Sequence, residues 1–384
     1  NKNGEFNENY LTGIYELFEK YNTNYAILLR PCQFAKNPFK LRHFFKIISQ
    51  DKRDFIFEYE LLKLSDFFTL LSLMLLYPFK TLRLLQKEVS KEDKIFNHSL
   101  LADIKYFSFD SLTRYILGKH LSKIDSIEKI FSWSEFQVIE RSFNYAIRKN
   151  SQKIELKALQ FFLNYEVYFN SYVDDLDDDM LSAPHEIFVN GKYYIQNRER
   201  VKYSIGVSLR YENIFRFKRQ KDGEKILLLG SYIELDTKYM LESIKGFDNV
   251  LFKSHPVVDI KRFGELPKNI TVSNDDIYKL FENSKLVIGT ASGTSVEAVA
   301  CGISVIIIAS QNNLTANSLV GHGKGKIWDI VFEKEELKGA INTLLEFRKS
   351  NPHEIDSIST WYKDNFFAEP TDKGIVKVFG MNKD

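Results

Sequence analysis

The chain has 384 residues, more than one ordinary core holds, and it suits two domains of ~150 to 200 residues each. Hydrophobic residues at 44% and charged residues at 27% lie near globular averages, so the chain folds with ample core. Lys and Arg (53) balance Asp and Glu (51) to leave +2, so no overall field marks a nucleic-acid binder, and no basic-aromatic module is recognisable.

Cys32 and Cys301 are far apart in sequence, which argues for reduced core thiols in a cytoplasmic protein and against a disulfide framework or a metal site. No secretory signal is visible, although a chain beginning at Asn1 leaves trimming open. The longest apolar run, Phe67 to Tyr77, carries Thr69 and Ser72 and stops at Pro78. That falls short of the ~20 residues a bilayer span needs.

In chain order, residues 9–21 read as a helix, Asn24 to Leu29 and Asp54 to Tyr59 as strands, and Lys63 to Lys87 as a helix kinked or broken at Pro78. With Lys80, Arg83 and Lys87 beyond its apolar part, this segment is either a buried helix with a solvated basic end or a contact for an anionic membrane surface. Asp103 to Lys149 reads as mostly helical, with S-W-S-E at Ser132 to Glu135 as a capped start. Within it Glu140 is either a solvated neighbour of Arg141 or a functional carboxylate aimed into a cleft. Lys157 to Leu163 is a strand candidate. The acidic run at Asp174, Asp175, Asp177, Asp178 and Asp179 lacks the Gly and terminal Glu of a calcium loop, so it reads as a solvated loop. Pro184 to Gly191 and Lys202 to Tyr211 are strand-like, and Arg216 to Glu224 reads as a linker.

Beyond it strands and helices alternate regularly: strand Lys225 to Leu229, helix Leu235 to Lys245, strand Val250 to Lys253, strand Ile270 to Val272, and helix Asp275 to Asn283 capped by Asn274. Lys285 to Ala309, K-L-V-I-G-T-A-S-G-T-S-V-E-A-V-A-C-G-I-S-V-I-I-I-A, then spells strand, hydroxyl-rich turn, helix and strand. Gly321-His322-Gly323-Lys324-Gly325 reads as a mobile basic loop after the last core strand, and Glu333 to Lys349 as a closing helix. The pattern predicts an α/β protein whose second half is a doubly wound parallel domain. Boundaries fall at 1–218, 219–350 and a tail, 351–384, crossing back to the first domain.

In such a sheet, ligands lie beyond the carboxyl ends of the strands. Gly230-Ser231, Lys253-Ser254-His255-Pro256, and Gly289 to Ser295 therefore converge. Proline at 256 holds His255 extended, which aims its ring at the crevice, where it donates to a phosphate oxygen or serves as a structural histidine. Thr290, Ser292, Gly293, Thr294 and Ser295 offer hydroxyls and unpaired amides, either for a phosphate or simply as helix caps. Glu297 fits a T-x-x-E capping box with Thr294, or else meets a ribose hydroxyl.

K-S-H-P at Lys253 to Pro256, G-T-A-S-G-T-S-V-E-A at Gly289 to Ala298 and the A-C-G-I-S-V-I that follows together resemble the nucleotide-binding domain of GT-B glycosyltransferases from bacterial surface-polysaccharide pathways, lipopolysaccharide and capsule among them. The likeness, over Lys225 to Lys349, is greatest to sialyltransferase-like and Kdo-transferase-like enzymes. It implies two Rossmann-like domains facing a cleft, and a CMP-activated acidic sugar, nonulosonic or Kdo-type, as donor. It further implies a glycan or lipid-linked glycan acceptor, metal-independent transfer, and no cofactor. A cytoplasmic location, peripheral at the inner membrane, goes with it. In that group the HP histidine and the hydroxyl motif hold the donor phosphate, which maps onto His255 and onto Ser292, Thr294 and Ser295. Gly230, Ser231, Lys253, Pro256, Thr290, Gly293 and Glu297 complete the expected donor contacts. I-E-R-S-F-N-Y-A-I and I-G-V-S-L-R-Y look like segments bordering such a cleft. Arg210 is thereby expected to meet the sugar carboxylate or the phosphate, and Glu140 is the nominated general base, since the D/E-D/E-G base motif of sialyltransferases has no clean copy in the N-terminal half. Teichoic-acid polymerases of similar fold also carry an HP motif, so a UDP-sugar or CDP-polyol donor is the nearest alternative. A non-catalytic membrane-associated assembly protein is the other.

Overall fold

A computed structural model describes residues 6, 8, 10–30, 37–104, 108–218, 223–290 and 292–381. The expectation for Cys32 lies outside them, as does Ala291 of the hydroxyl-rich turn. Among the described residues, twelve strands form three all-parallel sheets. The pair β1 (Ile27–Leu29) and β2 (Phe55–Phe57) stands first in the chain. Next come β3 (Lys129–Trp133), β4 (Glu155–Gln160), β5 (Glu186–Val189) and β6 (Lys202–Ile205), paired in that order. The second half holds β7 (Lys225–Leu229), β8 (Val250–Lys253), β9 (Ile270–Val272), β10 (Ser284–Gly289), β11 (Ser304–Ile308) and β12 (Trp328–Val331), in spatial order β12-β11-β10-β7-β8-β9.

That order reverses between β7 and β10, the switch point beyond which a doubly wound sheet opens its binding crevice. Four consecutive residues of β7, Ile226 to Leu229, are buried, as is all of β11. Such unbroken apolar runs are what a parallel sheet covered on both faces requires. The helix Pro352–Phe366 packs on the helix Thr294–Ala300 and on the turn Lys192–Tyr194, and so bridges the two larger sheets. Ile375, Val376 and Phe379 of the last helix, Asp372–Phe379, share a core with Ile14, Leu159 and Phe161 of the first half.

Several expectations need correction. Lys129 to Trp133 is a strand where helix was expected, and the helix that follows begins at Val138 with Gln137 as N-cap, so S-W-S-E caps nothing. Aromatic and β-branched residues there, Ile130, Phe131 and Trp133, pair with β4 and override the helical reading. The helix Leu64–Leu82 runs through Pro78 unbroken, and the helix Ile277–Glu282 is capped by Asp276, not Asn274. The acidic run is the short helix Asp175–Asp179, not a solvated loop. Asp177 pairs with Arg141, Asp178 with Arg148, Asp179 with Arg200, and Asp175 accepts the amides of residues 199–201. Gly321 to Gly325 precedes a further strand, β12, and is anchored, because the carbonyl of His322 accepts from Trp328 Nε1 (3.0 Å) and from the Tyr362 hydroxyl (2.9 Å).

Candidate functional site

Three strand ends meet at the switch point. β10, β7 and β8 are consecutive in the sheet, so the segments after them lie one and two strand spacings apart, roughly 5 and 10 Å. A Cβ on Gly230 would come within 3.2 Å of the His255 backbone nitrogen, so this glycine is what lets the β8 loop close on β7. His255 is half-buried, and burial lowers its pKa below the usual 6.5. Its Nδ1 accepts from the Val257 amide (3.4 Å), which puts the proton of the neutral ring on Nε2. Tyr232 packs edge-on against the ring at 6.0 Å. A neutral imidazole with a free Nε2–H is a hydrogen-bond donor over the whole neutral range.

The turn after β10 supplies further donors. Thr290 and Ser295 are buried at 2% and 0% exposure, and neither hydroxyl has a partner. Ser292 Oγ accepts from the Thr294 amide (3.2 Å), and Ser292, Gly293 and Thr294 are half-buried at the start of the helix Thr294–Ala300. Loops from β4 reach this turn. A Cβ on Gly293 would meet the Leu163 Cβ at 3.1 Å. Tyr168 and Tyr232 touch through their hydroxyls at 3.1 Å. The two larger sheets therefore face each other through the edges at which their strands end.

Other expected contacts are used internally. Ser231 Oγ accepts from the Ile233 amide (3.0 Å), and its own amide donates to Thr237 Oγ1 (2.9 Å), an arrangement that starts the helix Glu234–Ser243. Lys253 Nζ donates to the Asp275 carbonyl at 2.6 Å, and Pro256 is exposed. The T-x-x-E capping box does not form, because the N-cap is Gly293 and Thr294 is already helical. Glu297 is instead buried, accepting from the Tyr278 hydroxyl at 2.6 Å. Burial raises its pKa, while Tyr278 and the Arg210 charge oppose the rise. Arg210 is exposed and stacks over Tyr10 (5.1 Å) and Tyr211 (5.7 Å).

Across the cleft, Glu140 is in the first turn of the helix after β3, the neighbour of β4. It is half-buried and one carboxylate oxygen, Oε2, is buried without a partner. Burial raises its pKa, against the amides of Glu140 and Gln137 and the charge of Arg114. The sequence reading missed what surrounds it. Arg114 binds the buried carboxylate of Glu58 (2.5 Å), and Arg30 lies 3.9 Å from the same group. Arg30 and Glu58 directly follow β1 and β2, and that placement was the available signal. Tyr165 and Tyr278 were missed too, and only an aromatic-rich stretch after β4 hinted at the first. Among the described residues, no group of three or more His, Cys, Asp or Glu is placed to hold a metal ion, and no helix is long and apolar enough to cross a membrane.

No protein-family model and no curated protein matches the chain. Solved structures do. Over 97% of its length the chain is similar to the UDP-GlcNAc 2-epimerase from Neisseria meningitidis bound to UDP-GlcNAc, with 12% identity, a TM-score of 0.50 and 96% of that chain covered. CalG4, the calicheamicin glycosyltransferase, matches at 9% identity and TM-score 0.45 over 90% of each chain. Acinetobacter baumannii MurG matches at 12% and 0.45, over 70% of this chain and 77% of its own. At these identities the likeness concerns the fold: the chain is an α/β protein of GT-B architecture, with two Rossmann-like domains.

Proposed function

We propose that the protein is a glycosyltransferase moving an acidic sugar, nonulosonic or Kdo-type, from a CMP-activated donor to a glycan or lipid-linked glycan acceptor. One observation carries this reading: neutral His255 and the unpartnered hydroxyls of Thr290 and Ser295 gather at the switch point of the second sheet, where the loop after β4 meets it. Donors without bulk positive charge suit a phosphate held in a crevice that excludes water.

In the transfer, Glu140 takes the proton of an acceptor hydroxyl, whose oxygen attacks the anomeric carbon as the bond from that carbon to the phosphate oxygen breaks. The electron pair leaves with the phosphate. His255 Nε2–H and the amides at the start of the Thr294 helix meet the growing charge, so the step needs no metal ion. Arg210 takes the sugar carboxylate. A lipid-linked acceptor also implies a cytoplasmic enzyme in peripheral contact with a membrane.

A uridine nucleotide is the second reading, favoured by the fold shared with an epimerase crystallised with UDP-GlcNAc. Titration calorimetry of the full chain with CMP, UDP and CDP tests both. CMP binding in preference to the others is expected. Preference for UDP replaces the first reading with the second, and failure of all three removes both.

A further inference from the structure

The helix Leu64–Leu82 is apolar on both faces, since Leu70, Leu73 and Tyr77 turn inward while a second apolar row stays in solvent. Its inner face, at positions 66, 70, 73, 77 and 81, includes Asp66, which binds His120 Nε2 at 2.8 Å, and the buried Thr81, whose hydroxyl donates to the Tyr77 carbonyl at 2.9 Å. Its outer face carries Leu64 (80% exposed), Phe68, Leu71, Leu75 (65%) and Phe79 (66%). These recur at three- and four-residue spacing, so they form one stripe. A surface helix of a globular protein normally turns its apolar stripe to the core.

The next helix, Lys91–Asp103, also leaves apolar side chains in solvent. It buries Asn97, which exchanges hydrogen bonds with the Gln86 main chain (2.9 and 2.8 Å), and it exposes Ile95 and Phe96. The two helices touch, and Leu84 and Val89 in their connection are exposed as well. An apolar surface of this extent marks an interaction site. Lys80, Arg83, Lys87, Lys91 and Lys94, all exposed, follow one another from the end of the first helix into the second and outnumber Glu88, Glu92 and Asp93 among them, while Lys63 stands alone at the other end.

We propose that this helical hairpin docks on an anionic bilayer. The Leu and Phe stripe enters the boundary between headgroups and acyl chains, and Lys80, Arg83 and Lys87 meet anionic headgroups. Neither helix crosses a membrane, so both lie along it. Charge complementarity favours lipid over a second copy of the chain, since a symmetric pairing of this face repeats the same cations on both sides.

The test is co-sedimentation of the full chain with phosphatidylcholine vesicles holding about 30% phosphatidylglycerol, or none. Partition onto the anionic vesicles, weakened by salt, is expected. Replacing Lys80, Arg83 and Lys87 by Gln lowers it roughly a hundredfold, at about 1 kcal/mol per charge. The combined Phe68→Glu and Leu75→Glu variant lowers it at least as far, by putting two carboxylates among acyl chains. All five side chains are exposed, so circular dichroism and CMP titration stay unchanged, and the vesicle result stands apart from any result with nucleotides. Failure of the unmodified chain to sediment with anionic vesicles overturns the proposal. So does a dimer in light scattering that the Glu variant dissociates while vesicle binding is unaltered.

Discussion

The two sheet edges that face each other are built differently. Behind the second edge stand strands buried almost throughout, and the edge itself offers glycine, hydroxyls and a neutral imidazole. At the first edge Glu140 starts the helix after β3, Arg114 lies on the helix Phe109–Leu121, and Arg30 and Glu58 follow the separate, half-buried three-residue strands β1 and β2, so the groups gathered there are charged. Carboxylates kept at low solvation beside arginines suit proton transfer, while uncharged donors on a stiff frame suit an anion. The two edges thus differ in the kind of polar group each presents.

The largest effect that separates the edges is expected for Glu140→Gln, which lowers turnover about a thousandfold without altering nucleotide affinity. Because burial raises the Glu140 pKa above the usual 4.5, the acidic limb of the rate profile lies above pH 4.5, where the base begins to take its proton. Unchanged kinetics in this variant would break the assignment of the first edge. His255→Ala should cost about a hundredfold in turnover and weaken the nucleotide as well. With its pKa depressed by burial, any change in wild-type nucleotide affinity from charging the ring should be centred below pH 6.5. A step at pH 6.5 or above, with tighter binding in acid, would mean that a charged histidine does the holding.

Two further changes probe the frame behind each edge. Tyr278→Phe removes the 2.6 Å bond to buried Glu297 and should reduce unfolding free energy by about 2 kcal/mol, read by denaturant titration. At Glu186, burial raises the pKa, but hydrogen bonds from Lys157, Lys202 and Ser204 outweigh it and bring the group from 4.5 down to about 2. Its folded value is the lower one, so its contribution is complete above pH 4.5 and is lost as pH falls toward 2. Allowing for screening, that contribution is roughly 1 kcal/mol. The stability gap between wild type and Glu186→Gln should therefore close below pH 4.5. A gap independent of pH would assign the effect to packing.

What the sequence made legible follows the same contrast. In the second half, uninterrupted runs such as Ser304–Ile308 and punctuation by Gly and Ser located the strands closely, and the switch point followed from the alternation. The first half was harder, because β3 carries Lys and Ser among its aromatics and is specified by pairing with β4, a tertiary effect invisible in a local window. Within the site, His255 and the turn after β10 could be named from the residues before and after them. The bonds that occupy Ser231 and Lys253 could not, since they depend on Thr237 and on a carbonyl 22 residues away. Glu297 was read as a local cap. Its actual partner, Tyr278, lies 19 residues earlier on another helix.

The central claim is that the edge formed by His255 and the turn after β10 grips the donor phosphate, and a crystal of the full chain grown with CMP tests it most directly. The account predicts the phosphate at about 3 Å from His255 Nε2 and from the Gly293 amide. A nucleotide bound elsewhere on the chain would contradict it.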